Sequence, residues 1–115
     1  NYAEGLKTWS EAGGIAAPII ANMQQLLVAV AGEREIGPAI FRSMIAYMQA
    51  KRQFQTSDEE SYAEALSLFV VPQLQGVEDQ VAQDIYHTAC AILAPTQRAL
   101  LKHSISANTG YVPQE

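Results

Sequence analysis

The sequence has little of what disulfide bridging, nucleic-acid binding or membrane insertion requires. Its 115 residues include one cysteine, Cys90, so no internal disulfide is available. Seven lysines and arginines are outnumbered by twelve acidic residues, only Lys51 and Arg52 are adjacent, and the net charge of −5 provides no basic patch for phosphates. No apolar run approaches the about 18 residues of a membrane span. The first ten residues carry Glu4 and Lys7, from which we expect no signal peptide, and the single cysteine leads us to expect a cytoplasmic location.

Motifs for nucleotide hydrolysis and metal binding are also missing. Nothing matches the phosphate loop G-x-x-x-x-G-K-S/T, because Gly13 and Gly14 lack the following lysine. Asp84, His87 and Cys90 recur at every third residue, but two histidines and one cysteine in the chain are too few for a closed zinc site. We therefore expect no metal site in this chain.

A cysteine nucleophile is also not expected. Cys90 lies between Ala89 and Ala91, a setting more typical of burial than of reactivity. His87 is one turn away on the same predicted helix, yet nothing marks an oxyanion hole or a third orienting group. We expect no catalytic residue.

What is present is the composition of a packed helical domain. Hydrophobic residues make up 49% of the chain and charged residues 17%, which fits one globular domain. No stretch alternates with a period of two, so the predicted class is all-α, a small bundle of four to five helices. We assign residues 1–105 to a single helical domain and 106–115 to a flexible tail. The chain starts without Met and within a pattern, and we expect it to be a piece of a longer protein.

Apolar residues at helical spacing predict the first two helices. The first should begin near Ala16 or Ala17, because Pro18 fits only in a first turn, and should stop near Gly32. The second should begin at Pro38 and end between Lys51 and Phe54. Its predicted buried stripe consists of Phe41, Met44, Ile45 and Met48.

Three further helices are predicted from caps and prolines. Ser57 with Glu60 forms a capping box for the third helix, which Pro72 should end or kink. The fourth should run from Val77 after the turn at Gly76, and the fifth from Pro95 to about residue 105. The acidic pairs 59–60 and 78–79 fall at helix starts, where the helix dipole alone explains carboxylates.

Arginines flank the start of the second helix. A helix N-terminus has free N–H groups and a positive dipole end, and it can bind anions. Arg34 and Arg42, together with Glu35, lie on either side of Gly37 and Pro38, and arginine pairs with phosphate in a bidentate manner. The alternative is that both arginines pair with local acids on the surface.

At these residues the chain resembles a known family. The stretch from Arg34 to Arg42, REIGPAIFR, and the stretch from Ala65 to Gly76, ALSLFVVPQLQG, follow one another as in the C-terminal helical lid of AAA+ ATPases of the McrB, MoxR and dynein-related branch. The resemblance covers residues 15–76 and leaves 77–105 as an extension.

The resemblance implies a nucleotide-sensing role. It places Gly37, Pro38, Arg42 and Arg34 as cofactor-binding residues, although the arginine that many members carry directly after the proline is Ala39 here. ATP or GTP with Mg²⁺ would be held by the rest of a longer protein, and the partners would be the missing AAA+ core and neighbouring ring subunits. The isolated chain would have no enzyme activity. Two alternatives remain: a free-standing helical protein–protein interaction module, and a small regulatory domain that binds an anion at the Gly-Pro helix start.

Overall fold

The structure, a computed structural model, describes residues 14–30 and 37–115, and all regular structure in these ranges is helical. The described residues form five α-helices: α1 Ala17–Ala29, α2 Pro38–Lys51, α3 Asp58–Ala65, α4 Asp79–Cys90 and α5 Pro95–Thr109. Two 3₁₀ segments, Arg52–Phe54 and Val71–Leu74, and one π segment, Leu66–Val70, lie between them. The prediction of a small all-α bundle is therefore confirmed.

Three of the helices begin at a proline, as predicted. Pro38 and Pro95 occupy the first helical position of α2 and α5, and Pro18 lies in the first turn of α1. A first turn has no intrahelical partner for its N–H groups, so the missing N–H of proline costs nothing there. The predicted stop at Gly32 falls outside the described residues.

The start of α3 is fixed by its cap. The backbone N–H of Glu60 donates to Ser57 Oγ over 3.2 Å, as the capping box predicted. Three acidic side chains then occupy the first turn, where they favour the positive end of the helix dipole.

One apolar face of each helix contributes to a single core. All four residues of the predicted stripe of α2 are buried, and Phe41, Met44 and Met48 are fully enclosed. Helix α1 packs on α4, and α2 packs on α3. Helix α5 packs on α3 and on the 3₁₀ segment Val71–Leu74. The core side chains from the other helices include Ile19, Met23, Leu26, Tyr62, Leu66, Ile85, Tyr86, Leu101 and Ile105.

Pro72 changes the form of the helix that precedes it. Its ring would clash with the carbonyl of Leu68 in a regular α-helix, and it has no N–H to donate. The chain accordingly widens into the π segment and then tightens into the 3₁₀ segment, so the third helix is reshaped before it ends. Leu74 is fully buried, and Gly76 then takes a φ of +82°, which reverses the chain before α4.

The end of the chain differs from its predicted boundary. Helix α5 continues to Thr109, four residues beyond the predicted end at 105, and closes at Gly110 with a φ of +78°. Polar side chains in this last part bond to carbonyls one turn back: Ser106 Oγ donates to Lys102 O and Thr109 Oγ1 to Ile105 O, each over 2.8 Å. Their polarity suggested a loose tail, but these hydroxyls are compatible with a helix when they bond to it in this way. Residues 111–115 then lie against α4.

Candidate functional site

The residues that the resemblance singles out lie at the start of α2. Gly37 is the N-cap, in an extended conformation with φ −134° and ψ −174°, and no side chain of the described residues caps this helix. The N–H of Ile40 donates to Gly37 O over 3.1 Å and closes the first turn. Ala39 is exposed and Gly37 is half-buried, so the start of the helix reaches the surface. An uncapped helix start at a surface is the geometry in which backbone N–H groups can meet an external anion.

Helix α2 turns a face of short side chains outward. Its exposed residues at helical spacing are Ala39, Ser43, Ala46 and Ala50, which we call the small-residue face. Ser43 Oγ donates to Ala39 O over 3.1 Å, so even this hydroxyl is held against the helix. Because the distance between packed helices depends on the side chains between them, another element could approach this face closely.

Arg42 lies beside the small-residue face, with its side chain exposed one turn into α2. The structure therefore places Gly37, Pro38 and Arg42 along the first turns of one helix. Arg34 and Glu35 lie outside the described residues, and the convergence of Arg34 with Arg42 stays a prediction.

The far end of α2 is tied to two other parts of the chain. Arg52 donates through Nη2 and Nε to the two carboxylate oxygens of Asp58, over 2.9 and 3.2 Å, and Nη2 also donates to Gly14 O over 2.8 Å. One guanidinium thus connects the end of α2, the start of α3 and the segment before α1. Asp58 raises the pKa of Arg52 through this bidentate hydrogen bond.

A second connection on the outer side of α2 and α3 surrounds Glu64. Tyr47 Oη donates to Glu64 over 3.0 Å, and Lys51 Nζ lies 3.5 Å from the same carboxylate. The Lys51 ammonium also lies 5.9 Å from the ring centre of Tyr47 and 5.8 Å from that of Phe54. These contacts hold α3 beside α2.

A buried polar contact joins three helices in the core. Tyr62 Oη donates to Asn22 Oδ1 over 2.6 Å, and Asn22 Nδ2 donates to Thr88 O over 2.8 Å. Asn22 is 2% exposed and Tyr62 is fully buried, so α1, α3 and α4 are aligned by bonds that water does not compete for. Sequence reasoning missed Asn22. The available signal was a polar residue on the apolar face of α1, next to Met23.

Another polar cluster, which the sequence did not indicate, lies where residues 111–115 cross α4. Gln83 Nε2 donates to Gln114 O over 2.8 Å, while Gln83 Oε1 accepts from the Gln114 N–H and from Tyr111 Oη, each over 2.7 Å. Tyr86 Oη donates to the Glu115 carboxylate, with both oxygens within 2.9–3.1 Å. Lys102 Nζ of α5 lies 3.5 Å from that carboxylate. The partners are separated by about thirty positions along the chain, and no local spacing pattern reveals them.

Cys90 and His87 lie beside this cluster on α4. Burial raises the pKa of the Cys90 thiol, which keeps it protonated and a poor nucleophile at neutral pH. His87 is exposed. Among the described residues no group of three or more histidine, cysteine, aspartate or glutamate side chains is placed to hold a metal ion.

A groove of about 570 Å³ runs between α3 and α5. It is lined by Glu60, Ala63 and Glu64 on one side and by Thr96, Gln97 and Leu100 on the other. Leu100 is 48% exposed and supplies the largest apolar side chain of this lining.

Models of known protein families, curated proteins and solved structures were compared with the chain, and none of them matched. No helix in the ranges 14–30 and 37–115 is long and apolar enough to cross a membrane.

Proposed function

We propose that residues 15–76 form the helical lid of a AAA+ ATPase, and that the start of α2 leans on a nucleotide held by another part of that protein. The observation that supports this most is the first turn of α2. Its N-cap, Gly37, has no side chain to cap it, it reaches the surface at Ala39, and Arg42 is exposed one turn further on. Backbone N–H groups and a guanidinium together suit the phosphates of ATP or GTP.

The small-residue face of α2 supports the same proposal. A lid must pack against the core of its own chain and move relative to it when nucleotide binds. Short side chains at Ala39, Ser43, Ala46 and Ala50 let the two bodies approach closely and slide without interlocking.

In this proposal the nucleotide with Mg²⁺ is bound by the AAA+ core of the same chain, and the lid relays its presence to the neighbouring ring subunit. Nucleotide favours the closed arrangement only to the extent of the extra contacts that it gains there. Many lids of this type contact the phosphate through an arginine directly after the proline. Since that position is the uncharged Ala39 here, Arg42 supplies the contact instead. The isolated chain does not hydrolyse ATP, and the whole protein works in the cytoplasm.

The first test is the reading frame that precedes the codon for Asn1. The proposal expects it to encode a phosphate loop followed by paired acidic residues. A start codon directly before Asn1 would contradict the proposal.

The second test uses the protein encoded by that whole frame. Replacing Arg42 by Ala should lower its ATPase kcat about tenfold, the effect of losing one charged contact to the transferring phosphoryl group. Lys102→Ala is the control: it also removes one positive charge, but on α5, away from the proposed contact. It should change kcat by no more than about twofold, less than the loss of a phosphate contact would cause. Equal effects of the two substitutions would remove Arg42 from the nucleotide site.

A free-standing protein–protein interaction module is the second candidate, and the groove between α3 and α5 favours it. Leu100 is half-exposed there between acidic and neutral polar residues, a pattern that suits the apolar face of an amphipathic helix. This candidate predicts concentration-dependent self-association of the chain in sedimentation experiments, and loss of that association in Leu100→Ser. A monomer at all concentrations, together with an upstream phosphate loop, would exclude it.

A further inference from the structure

The segment 111–115 is held on α4 by a side chain that grips its backbone. The amide of Gln83 bonds to both the N–H and the C=O of Gln114, over 2.7 and 2.8 Å. The Gln83 carboxamide thus offers a donor and an acceptor to the backbone of one residue, as a neighbouring β-strand would. Such a contact suits a segment in an extended conformation. These two bonds do not depend on which side chain the gripped residue carries.

Three other contacts do depend on the side chains of the segment. Tyr111 packs against the core and its Oη donates to Gln83 Oε1 over 2.7 Å, and Pro113 is buried. The Glu115 carboxylate accepts from Tyr86 Oη at 2.9 Å and lies 3.5 Å from Lys102 Nζ. Together with the Gln83 grip, they define a sequence requirement: a tyrosine, any residue, a proline, any residue, then an acid.

The segment is buried at Pro113 but exposed on either side of it. The Glu115 side chain is 70% exposed and Val112 is 53% exposed. The backbone N–H and C=O of Gln114 are bonded to the side chain of Gln83, not to the main chain of α4. Gly110, with its φ of +78°, separates the segment from α5 and provides a point about which it can swing.

The site also extends beyond the segment that fills it. A cavity of about 310 Å³ lies beside Gln114 and Glu115 and is lined by Tyr86, His87, Cys90, Ala91 and Arg98. Arg98 and Lys102 make this end of the site positive, which matches an acidic ligand. The tail fills one part of the site and leaves room beside its acidic end.

We propose that α4 and α5 form a binding site for an extended segment of a partner protein with the pattern tyrosine, any residue, proline, any residue, acid, and that residues 111–115 occupy this site in cis until the partner displaces them. The tail acts as a tethered competitor, with an effective concentration on the order of millimolar. The partner therefore binds only if it also makes contacts in the unfilled part of the site, or if the binding of residues 111–115 to the site is weakened. This site is independent of the lid proposed for residues 15–76.

The test uses the full chain and a capped peptide, acetyl-Tyr-Val-Pro-Gln-Glu-amide, labelled for fluorescence anisotropy. Glu115→Ala in the chain weakens the competitor and should raise the apparent affinity for the peptide about fivefold. The same change in the peptide, with Ala in place of Glu, should lower its affinity by about the same factor. Opposite effects of one substitution in the two places are expected only if tail and peptide share a site.

Variants of the site complete the test. The site variants are made in a chain whose residues 111–115 are replaced by glycine and serine, because Gln83 also holds this segment and its loss would otherwise weaken competitor and peptide together. In that background Gln83→Ala should lower peptide affinity about tenfold, because the backbone grip is lost. Gln80→Ala is the matched control one turn earlier on α4, where the side chain bonds only Asp84, and it should change nothing. Gln83→Glu keeps the size and loses the donor, so it should also weaken binding, and thermal melting will show that each variant is folded.

Three results would overturn the proposal. One is a peptide affinity that is the same in Gln83→Ala and Gln80→Ala. Another is no gain of affinity in Glu115→Ala. The third is a dimer whose tails are exchanged at high protein concentration, which would mean that the site serves a second copy of the chain and not a partner.

Discussion

The phenol of Tyr62 and the carboxamide of Asn22, forty positions apart, share a 2.6 Å hydrogen bond in the centre of the bundle. The other end of the carboxamide bonds the carbonyl of Thr88 over 2.8 Å. Every polar atom of the Asn22 side chain that can reach across the core thus has a partner on α3 or α4. Satisfied polar groups of this kind fix how helices align, whereas apolar contacts alone permit small shifts.

We predict that Tyr62→Phe lowers the free energy of unfolding by about 1–3 kcal/mol, because Asn22 Oδ1 is left buried without its donor. Tyr47→Phe removes a hydroxyl that bonds Glu64 in a partly exposed position, and it should cost about 0.5–1 kcal/mol. Urea unfolding of both variants measures the difference. Equal losses would show that the buried hydrogen bond has no special weight.

The pair Asn22→Leu with Tyr62→Phe should cost less than the sum of the two single variants, since each single change orphans a buried partner that the double change removes. Thr88 O keeps a partner in the double variant, because the N–H of Ala91 also donates to it over 3.3 Å. The same unfolding experiments give the coupling energy, and additive losses would contradict direct pairing.

Stability should fall at alkaline pH through Tyr62. Burial raises the pKa of Tyr62 far above its ordinary value of 10.0. In the unfolded chain the phenol ionises near that ordinary value, so the unfolded state binds fewer protons above it. The contribution of Tyr62 is full below about pH 10 and is lost by about 1.4 kcal/mol per pH unit above it. Between about pH 8 and pH 11 the free energy of unfolding should therefore decrease less steeply with pH in Tyr62→Phe than in the parent chain. The same pH dependence in both proteins would contradict the assignment.

The Arg52–Asp58 contact should be detectable by a charge-matched pair of substitutions. Asp58→Asn and Glu59→Gln each remove one negative charge from the first turn of α3, but only Asp58 bonds Arg52. Asp58→Asn should therefore cost about 0.5–1 kcal/mol more, a modest amount because the pair is partly solvated. The difference should shrink in about 1 M NaCl, where charges are screened within about 3 Å. A difference that salt does not change would point to something other than the ion pair.

Gly76 should tolerate asparagine better than alanine. Its φ of +82° is unfavourable for a side chain that carries a Cβ, although no atom lies within 4 Å of where that Cβ would be. Gly76→Ala should cost about 1–2 kcal/mol through backbone strain alone. Gly76→Asn should cost less, because asparagine adopts this conformation more readily. Thermal melting of the two variants tests the order, and its reversal would locate the cost in packing.

Local signals in the sequence predicted most of the fold. Pro18, Pro38 and Pro95 mark helix starts because the residue itself fixes φ and lacks a donor, whatever the tertiary structure. The buried stripe from Phe41 to Met48 follows from helical periodicity in the same way. The π segment before Pro72 could not be predicted in this way. A proline indicates that the helix ends or kinks, but not which helical form the preceding turns adopt.

Contacts between distant parts of the chain could not be predicted. The pairings of Asn22 with Tyr62 and of Gln83 with Gln114 depend on how the helices cross and on where the tail returns, which no local spacing records. The same holds for the proposed nucleotide site. Sequence reasoning found Gly37, Pro38 and Arg42 as neighbours on one helix, but whether Arg34 joins them depends on a segment outside the described residues.

Hydrogen exchange in the protein encoded by the whole reading frame tests the lid proposal most directly. Helices α2 and α5 both start at a proline, neither N-cap residue (Gly37 or Ala94) has a polar side chain, and each first stretch contains one arginine, so their first amides form a matched pair. If the start of α2 leans on bound nucleotide, ATP should slow exchange at the amides of residues 39–42 about tenfold or more and leave residues 96–99 of α5 unchanged. Equal exchange at the start of α2 with and without ATP, in a protein that binds ATP, would contradict the account.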